Sequence, residues 1–298
     1  MAILRVESLA YGVEDLDAGI RYFEDWGLPC AARGAHGADF ALPSGQTILI
    51  RSSKDASLPA APDGGSTLRE TIWGVSDLAA LERIGAELGR DREVKADANG
   101  GLHAHDVAGF GIGFRKTAAV QKKPAPAASR MNRPFDPERR AHPSRLGHVV
   151  YNAAKKDIES LLAFYLERLQ FRLTDRALDT GAFMRCQGSN DHHNLFFAIR
   201  SDRNSFNHAA FEVRDIDEIV LGGKYMKSRG WRPNTPVGRH ILGSNIFWYF
   251  DNPCGGRTEY YSDMDQMDDD WKPRIWEKNP GFAMWMMDKD EAPELTRI

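Results

Sequence analysis

The feature that most constrains this 298-residue chain is an order of elements that recurs along it. Near the start, the alternating apolar run VESLAYGV precedes DLDAGIRYFEDWGL. There Leu16, Ile20 and Phe23 recur at helical spacing, and Gly27 supplies a C-terminal stop. Past the middle, RLGHVVYN precedes KKDIESLLAFYLERLQF, where Ile158, Leu161, Leu162 and Tyr165 share one helical face. Further along each half, TIWGVSDLAALERIGAEL is matched by HAAFEVRDIDEIVLGGKYMKSRG. Each reads as a β-rich run, an Asp-containing turn and a helix. The halves close on DVAGFGIGFR and FWYFDNPCGGRTEYYS, each a glycine turn leading into a strand. The pattern is βαβββ, given twice in each half. Such a unit cannot bury its apolar face alone and must share a core with its copies. The expected fold class is therefore α+β, with paired βαβββ modules forming curved sheets around a cleft, and two similar domains in tandem.

Between the halves, residues 121–145 (QKKPAPAASRMNRPFDPERRAHPSR) hold five prolines and many charges with almost no apolar period. Proline fixes φ and removes a donor, so this stretch is expected to be an extended linker. The expected boundaries are an N-terminal domain at 1–120, the linker at 121–145, a C-terminal domain at 146–262 and a tail at 263–298. The tail carries Trp271, Trp276, Phe282 and Trp285, apolar surface expected to pack on the body and suited to a lid over a cleft.

Composition excludes several classes. With 39 Lys+Arg against 42 Asp+Glu, the net charge of −3 gives no general pull toward nucleic acid. No run of about 18 apolar residues suggests a membrane span, and MAILRVESLAYGVEDL lacks the basic-then-apolar order of a secretory signal. Three cysteines, Cys30, Cys186 and Cys254, are too few and too odd for a disulfide framework. A cytoplasmic protein is expected, with neither nucleic-acid nor membrane partners.

The chemistry concentrates in the second half. His148 lies within LGHVVY, His208 within NHAAFEV and Glu259 within RTEYY. An ionisable group in an apolar strand must be hydrogen-bonded, neutral or metal-bound, because burying it unpaired is costly. Two histidines and one carboxylate from three strands form a facial triad that leaves open positions on a non-haem Fe(II).

In order along the chain, LGHVV, NDHHNLFF, NHAAFEV and GRHILGSNIFWYFDNPCGGRTEYY resemble the type I extradiol ring-cleaving dioxygenases of the vicinal oxygen chelate superfamily. The resemblance covers about residues 146–262 by these motifs, and 3–115 only as a degenerate copy of the fold. It implies that His148, His208 and Glu259 hold the metal, Fe(II) being expected and Mn(II) the alternative. It also implies a catecholic substrate, O2 as co-substrate and meta cleavage that inserts both oxygen atoms, within aromatic compound degradation. By the same resemblance His193 is the acid/base, while His240 and Tyr249 stabilise the anionic substrate. If its segment is extended, His192 points to the opposite face from His193. Likewise Phe247 and Tyr249 share one strand face and Trp248 and Phe250 the other. Val150, Asn245 and Arg239 are candidate substrate contacts. Gly243 stands where some members carry an Asp, which favours a monocyclic catechol with an alkyl or carboxylate substituent over a biphenyl-type diol.

Alternatives on the same fold are a 4-hydroxyphenylpyruvate-type oxygenase, a glyoxalase-type isomerase and a metal-free small-molecule-binding resistance protein. Neither enzyme alternative requires the set His193, His240 and Tyr249, and resistance proteins of this fold lack the His/His/Glu set. In the first half the ligand positions are matched roughly by Ala10, Glu70 and Gly113, and His103 and His105 are expected to face solvent in a glycine-bounded turn. One metal per chain, a scaffold role for the first half and assembly into a homo-oligomer are expected.

Overall fold

The computed structural model describes residues 3–117, 139–200 and 202–287. Most of the expected linker (121–138) and the end of the tail (288–298) lie outside the described residues. The first half runs β1 (Ile3–Val13), α1 (Leu16–Asp25), β2 (Cys30–Gly34), β3 (Gly37–Ala41), β4 (Thr47–Ser52), β5 (Thr67–Val75), α2 (Leu78–Leu88), β6 (Lys95–Ala96), β7 (Leu102–His105) and β8 (Gly111–Lys116). The second runs β9 (Arg145–Ala154), α3 (Ile158–Ala163), β10 (Arg172–Ala177), β11 (Gly181–Arg185), β12 (Leu195–Arg200), β13 (Ser205–Glu212), α4 (Ile216–Ser228), β14 (Gly238–His240), β15 (Ile246–Asp251) and β16 (Arg257–Ser262). The tail adds β17 (Arg274–Trp276) and β18 (Ala283–Met286). The βαβββ order is thus present four times.

Three helices begin where an Asp side chain accepts an otherwise unpaired backbone N–H. Asp15 accepts from Ala18, Asp77 from Ala80 and Asp215 from Glu218. The third helix departs from the continuous one expected. Asp157 makes no such bond, and after Ala163 the chain widens into a π turn, Phe164–Arg168, that buries both Phe164 and Tyr165.

The strands form an eight-stranded sheet, β2-β3-β4-β1-β5-β8-β7-β6, and a ten-stranded sheet, β17-β10-β11-β12-β9-β13-β16-β15-β14-β18. In each, two units meet at a central antiparallel seam, β1 with β5 and β9 with β13. One apolar core runs through both halves. Trp26 stacks on Tyr260 with ring centroids 3.5 Å apart, and Phe171 meets the Trp73 ring edge-on at 4.9 Å. The Tyr151 hydroxyl bonds that of Thr71 at 2.6 Å. No described helix is long and apolar enough to cross a membrane.

The pairing registers correct the alignment of the halves. His208 pairs with Val150 and Arg257, and Ala210 lies opposite both His148 and Glu259. In the first half, Glu70 pairs with Ala10 and Gly111, and Ile72 lies opposite both Ser8 and Gly113. Ser8, not Ala10, is therefore the counterpart of His148, while Glu70 and Gly113 match His208 and Glu259. Ser8 lies 62 residues before Glu70 whereas His148 lies 60 before His208, so simple counting misses the offset.

The tail docks by its edges. Strand β17 extends the sheet in parallel with β10, β18 pairs with β14, and the Trp271 indole N–H donates to the Thr174 carbonyl at 3.0 Å. The expectation that its apolar side chains pack on the body holds only in part, since Ile275, Phe282, Met284 and Met287 stay exposed. An added edge strand satisfies its backbone groups while leaving its outer face in water.

Candidate metal centre

His148, His208 and Glu259 sit on β9, β13 and β16, three neighbouring strands. Their candidate ligand atoms lie within 4.8 Å of one another, and all three residues are buried. His148 Nε2 is 3.0 Å from Glu259 Oε2, and His208 Nε2 is 3.3 Å from the same oxygen. Among the described residues no other cluster of three such groups is as tight.

The hydrogen-bond pattern shows what this arrangement lacks. The bulge beside His208 turns Asn207 so that its Oδ1 meets His208 Nδ1 at 2.8 Å. Arg257 donates to that same Oδ1, and Asn207 Nδ2 donates to Asn152 Oδ1 at 2.7 Å, so the amide orientation is fixed. His208 must then donate from Nδ1, which leaves Nε2 as a bare lone pair facing a carboxylate oxygen. Only a proton or a cation between them makes that stable. Burial pushes the His208 pKa down to about 4, against the pull of Glu259, which disfavours the proton. Burial would also raise the Glu259 carboxyl, but hydrogen bonds and charge from His148 and His208 hold it below its ordinary range. Asn245 Nδ2 anchors the other carboxylate oxygen, Oε1, at 2.9 Å. Two neutral imidazoles, one anchored carboxylate and separations near 3 Å fit adjacent ligands around one divalent ion with bonds of about 2.1 Å.

A cavity of about 200 Å³ opens on these ligands. Val150, Phe183, Phe196, Ala198 and Leu242 give it apolar walls, and His193, His240, Asn245 and Tyr249 face it with polar atoms. Its lining also includes Asn279, Gly281 and Phe282 from the tail. His240 donates from Nδ1 to the Phe282 carbonyl at 2.9 Å, so its Nε2 accepts from the Tyr249 hydroxyl, also at 2.9 Å. Burial, with Glu259 nearby, raises the Tyr249 phenol well above its usual range. Burial lowers His193, and the surrounding histidines lower it further. Phe247 stacks on His240 at 4.1 Å on the cavity side, whereas Trp248 packs over Gly223 and Phe250 against Trp26, as strand alternation requires.

Several expectations need correction. His192 does not point away from His193, because residues 186–194 form a turn rather than a strand. The two rings stand perpendicular and share an Nδ1···Nδ1 contact of 3.0 Å. Arg239 does not border the cavity; its guanidinium donates to the Ser244 carbonyl at 2.6 Å and to Asp263 at 2.7 Å. His103 is not in a solvent-facing turn but on β7, where it meets Glu70 at 2.8 Å and Asp97 at 3.1 Å. Sequence reading missed Asn207 and the aromatic pair Phe183 and Phe196. Asn207 had one visible signal, its place beside His208, but alternation would have put it on the other face had the strand not bulged.

The His103 contacts carry a pH dependence. The hydrogen bond to Glu70 raises His103 from 6.5 to about 9, against burial and with help from Asp97. Since the folded value lies above the unfolded one, the stabilisation is complete below pH 6.5 and is lost as pH rises through about 9. In urea denaturation, His103→Gln should flatten this decline across that window. An unchanged slope would show that the pair contributes nothing.

Comparison with known proteins places these features. Residues 145–260 match the model of the Glyoxalase/Bleomycin resistance protein/Dioxygenase superfamily. Metapyrocatechase 2 from Cupriavidus necator is 36% identical over 126 residues, 42% of this chain and 38% of that protein. A 3-methylcatechol 2,3-dioxygenase from Pseudomonas putida is 30% identical over 125 residues, 39% of this chain and 40% of that protein. The matched region thus spans about two fifths of each relative's length. Among solved structures, the 2,3-dioxygenase LapB from Pseudomonas sp. KL28 superposes with a TM-score of 0.74 at 19% identity, covering 93% of this chain and 98% of that one. The Mn(II)-bound glyoxalase from Novosphingobium aromaticivorans gives 0.74 at 21% identity, covering 92% and 87%. The structural likenesses show that nearly the whole chain shares the fold of those solved structures.

Proposed function

Taking residues 145–260 as a module of that superfamily, we propose that the chain cleaves a catechol by the extradiol (meta) route with O2. It does so on Fe(II) held by His148, His208 and Glu259, in the breakdown of aromatic compounds. Mn(II) suits the same donors. The observation that carries this reading is the bare His208 Nε2 facing the Glu259 carboxylate at 3.3 Å, beside a cavity lined with aromatic rings. The names of the two curated relatives, a metapyrocatechase and a catechol 2,3-dioxygenase, support it.

A bound divalent ion supplies Lewis acidity and an electron path between catechol and O2. The remaining work falls to this chain's own side chains. Phe183 and Phe196, stacked at 4.0 Å, shape the apolar wall on which a planar ring rests. His193 takes the proton of the second hydroxyl and later returns it. Tyr249 stabilises negative charge on the substrate oxygens by turning its hydroxyl proton from His240 Nε2 toward them. Asn245 holds Glu259 in place, and Val150 limits the size of the ring substituent. A cavity of about 200 Å³ suits a monocyclic catechol. Tail residues 279–282 close one side as a lid, and the first half acts as scaffold. Three free thiols and a ferrous site suit a reducing cytoplasm, and the exposed apolar tail suits a homo-oligomer.

The test is direct. Loaded anaerobically with Fe(II) and mixed in air with monocyclic catechols, the chain should take up O2 and form a yellow ring-fission product. No product across a broad panel, with iron shown to be bound, would overturn the proposal and leave the 4-hydroxyphenylpyruvate-type oxygenase and glyoxalase-type isomerase alternatives.

A further inference from the structure

Behind His193 lies a buried polar chain that the proposed reaction does not by itself require. His193 Nδ1 meets His192 Nδ1 at 3.0 Å, and His192 Nε2 meets Asp175 Oδ2 at 2.7 Å. His192 and Asp175 are both fully buried. Asp175 in turn receives two hydrogen bonds from Arg274, at 2.8 and 2.7 Å, and one from the Trp276 indole at 2.8 Å. Arg274 and Trp276 belong to β17, the tail strand that pairs with the strand carrying Asp175. On the other side, Gly243 adopts a φ of +87°, and a Cβ there would lie 3.1 Å from His192 Nδ1. A side chain in place of that glycine would press on the His192 ring.

The direction of the protons follows from donor chemistry. Asp175 is an anion already matched in charge by Arg274, so it accepts from every neighbour. His192 therefore donates from Nε2. The Asp175 charge is already met by the two Arg274 hydrogen bonds, so His192 serves here as a neutral donor. A neutral His192 has a bare Nδ1, and His193 must donate to it from its own Nδ1. The proton of His193 is then fixed on Nδ1, and its Nε2 is the lone pair left for the cavity.

We propose that Asp175 and His192 are positioning residues that set the tautomer of His193, and that the tail strand locks them by holding Asp175 with Arg274 and Trp276. The inference rests on His193 acting on substrate from the cavity, but its test does not depend on turnover. Imidazole 15N NMR of the full chain, metal-free and loaded with Zn(II), should show His193 protonated at Nδ1 and pyridine-like at Nε2, with His192 protonated at Nε2. His192→Leu should release this preference, giving a mixture of His193 tautomers. His192→Asn should restore it, because the amide oxygen takes the place of His192 Nδ1 and accepts from His193. With Fe(II), kcat should fall on the order of 100-fold in the Leu variant and within about 5-fold of the parent in the Asn variant, KM staying the same in both. A parent His193 carrying its proton on Nε2, or Leu and Asn variants equally impaired, would overturn the proposal. Should the NMR pattern hold while no catechol is cleaved, the pair stands as a tautomer device and the reaction assignment is what fails.

Discussion

Glu259→Ala should empty the metal site. Its Oε2 is the atom that both imidazoles approach, at 3.0 and 3.3 Å, and Asn245 holds its other oxygen at 2.9 Å. Without it, two neutral imidazoles remain, with no anion to offset the ion's charge. Loss of an outer-shell partner weakens binding by about 10–100-fold, so loss of a ligand should exceed about 100-fold. The check is iron content after gel filtration of the Fe(II)-loaded variant, with circular dichroism to show that the fold persists. Stoichiometric iron in a folded Glu259→Ala protein would remove Glu259 from the ligand set.

His193→Phe should have the opposite profile, retaining iron while losing turnover. The His193 ring packs 4.2 Å from His148 and 5.1 Å from Phe183, so a phenyl ring of similar shape fills its place without touching the ligand arrangement. What disappears is the only route by which this side chain handles the substrate's proton. General acid–base catalysis by one group contributes about 100- to 10,000-fold, and kcat should fall by that order. Steady-state kinetics on the iron-quantified protein checks this. A variant that lost iron, or that turned over at the parent rate, would show that His193 has another role.

The legibility of the chain has a physical pattern. The four βαβββ units were visible because strand and helix periods and Asp-led helix starts are local signals, and Asp15, Asp77 and Asp215 all cap as such residues do. His148, His208 and Glu259 stood out because ionisable groups do not belong in apolar strands unless something pairs with them. What failed was whatever depends on register. One bulge brings Asn207 round to His208, and two extra residues between the seam strands of the first half make Ser8 rather than Ala10 the counterpart of His148. His192 stands beside His193 because residues 186–194 do not form a strand, and alternation applies only to strands. The tail is legible as apolar cover for a cleft, but its polar contact with the site is not. Phe282 meets His240 through a backbone carbonyl, and a main-chain acceptor leaves no mark on residue type.

The first half explains why the same framework need not hold metal twice. At the three equivalent positions it carries Ser8, Glu70 and Gly113. Glu70 is tied to His103, and a Cβ at Gly113 would lie only 3.1 Å from its carboxylate. A hydroxyl, an occupied carboxylate and a missing side chain do not form a ligand set.

The most direct measurement is anomalous diffraction at the iron edge from crystals of the Fe(II)-loaded chain. The account predicts one peak per chain, within about 2.1 Å of one ring nitrogen each of His148 and His208 and of a Glu259 oxygen. A peak elsewhere, or iron bound in solution with no density among these three side chains, would contradict it.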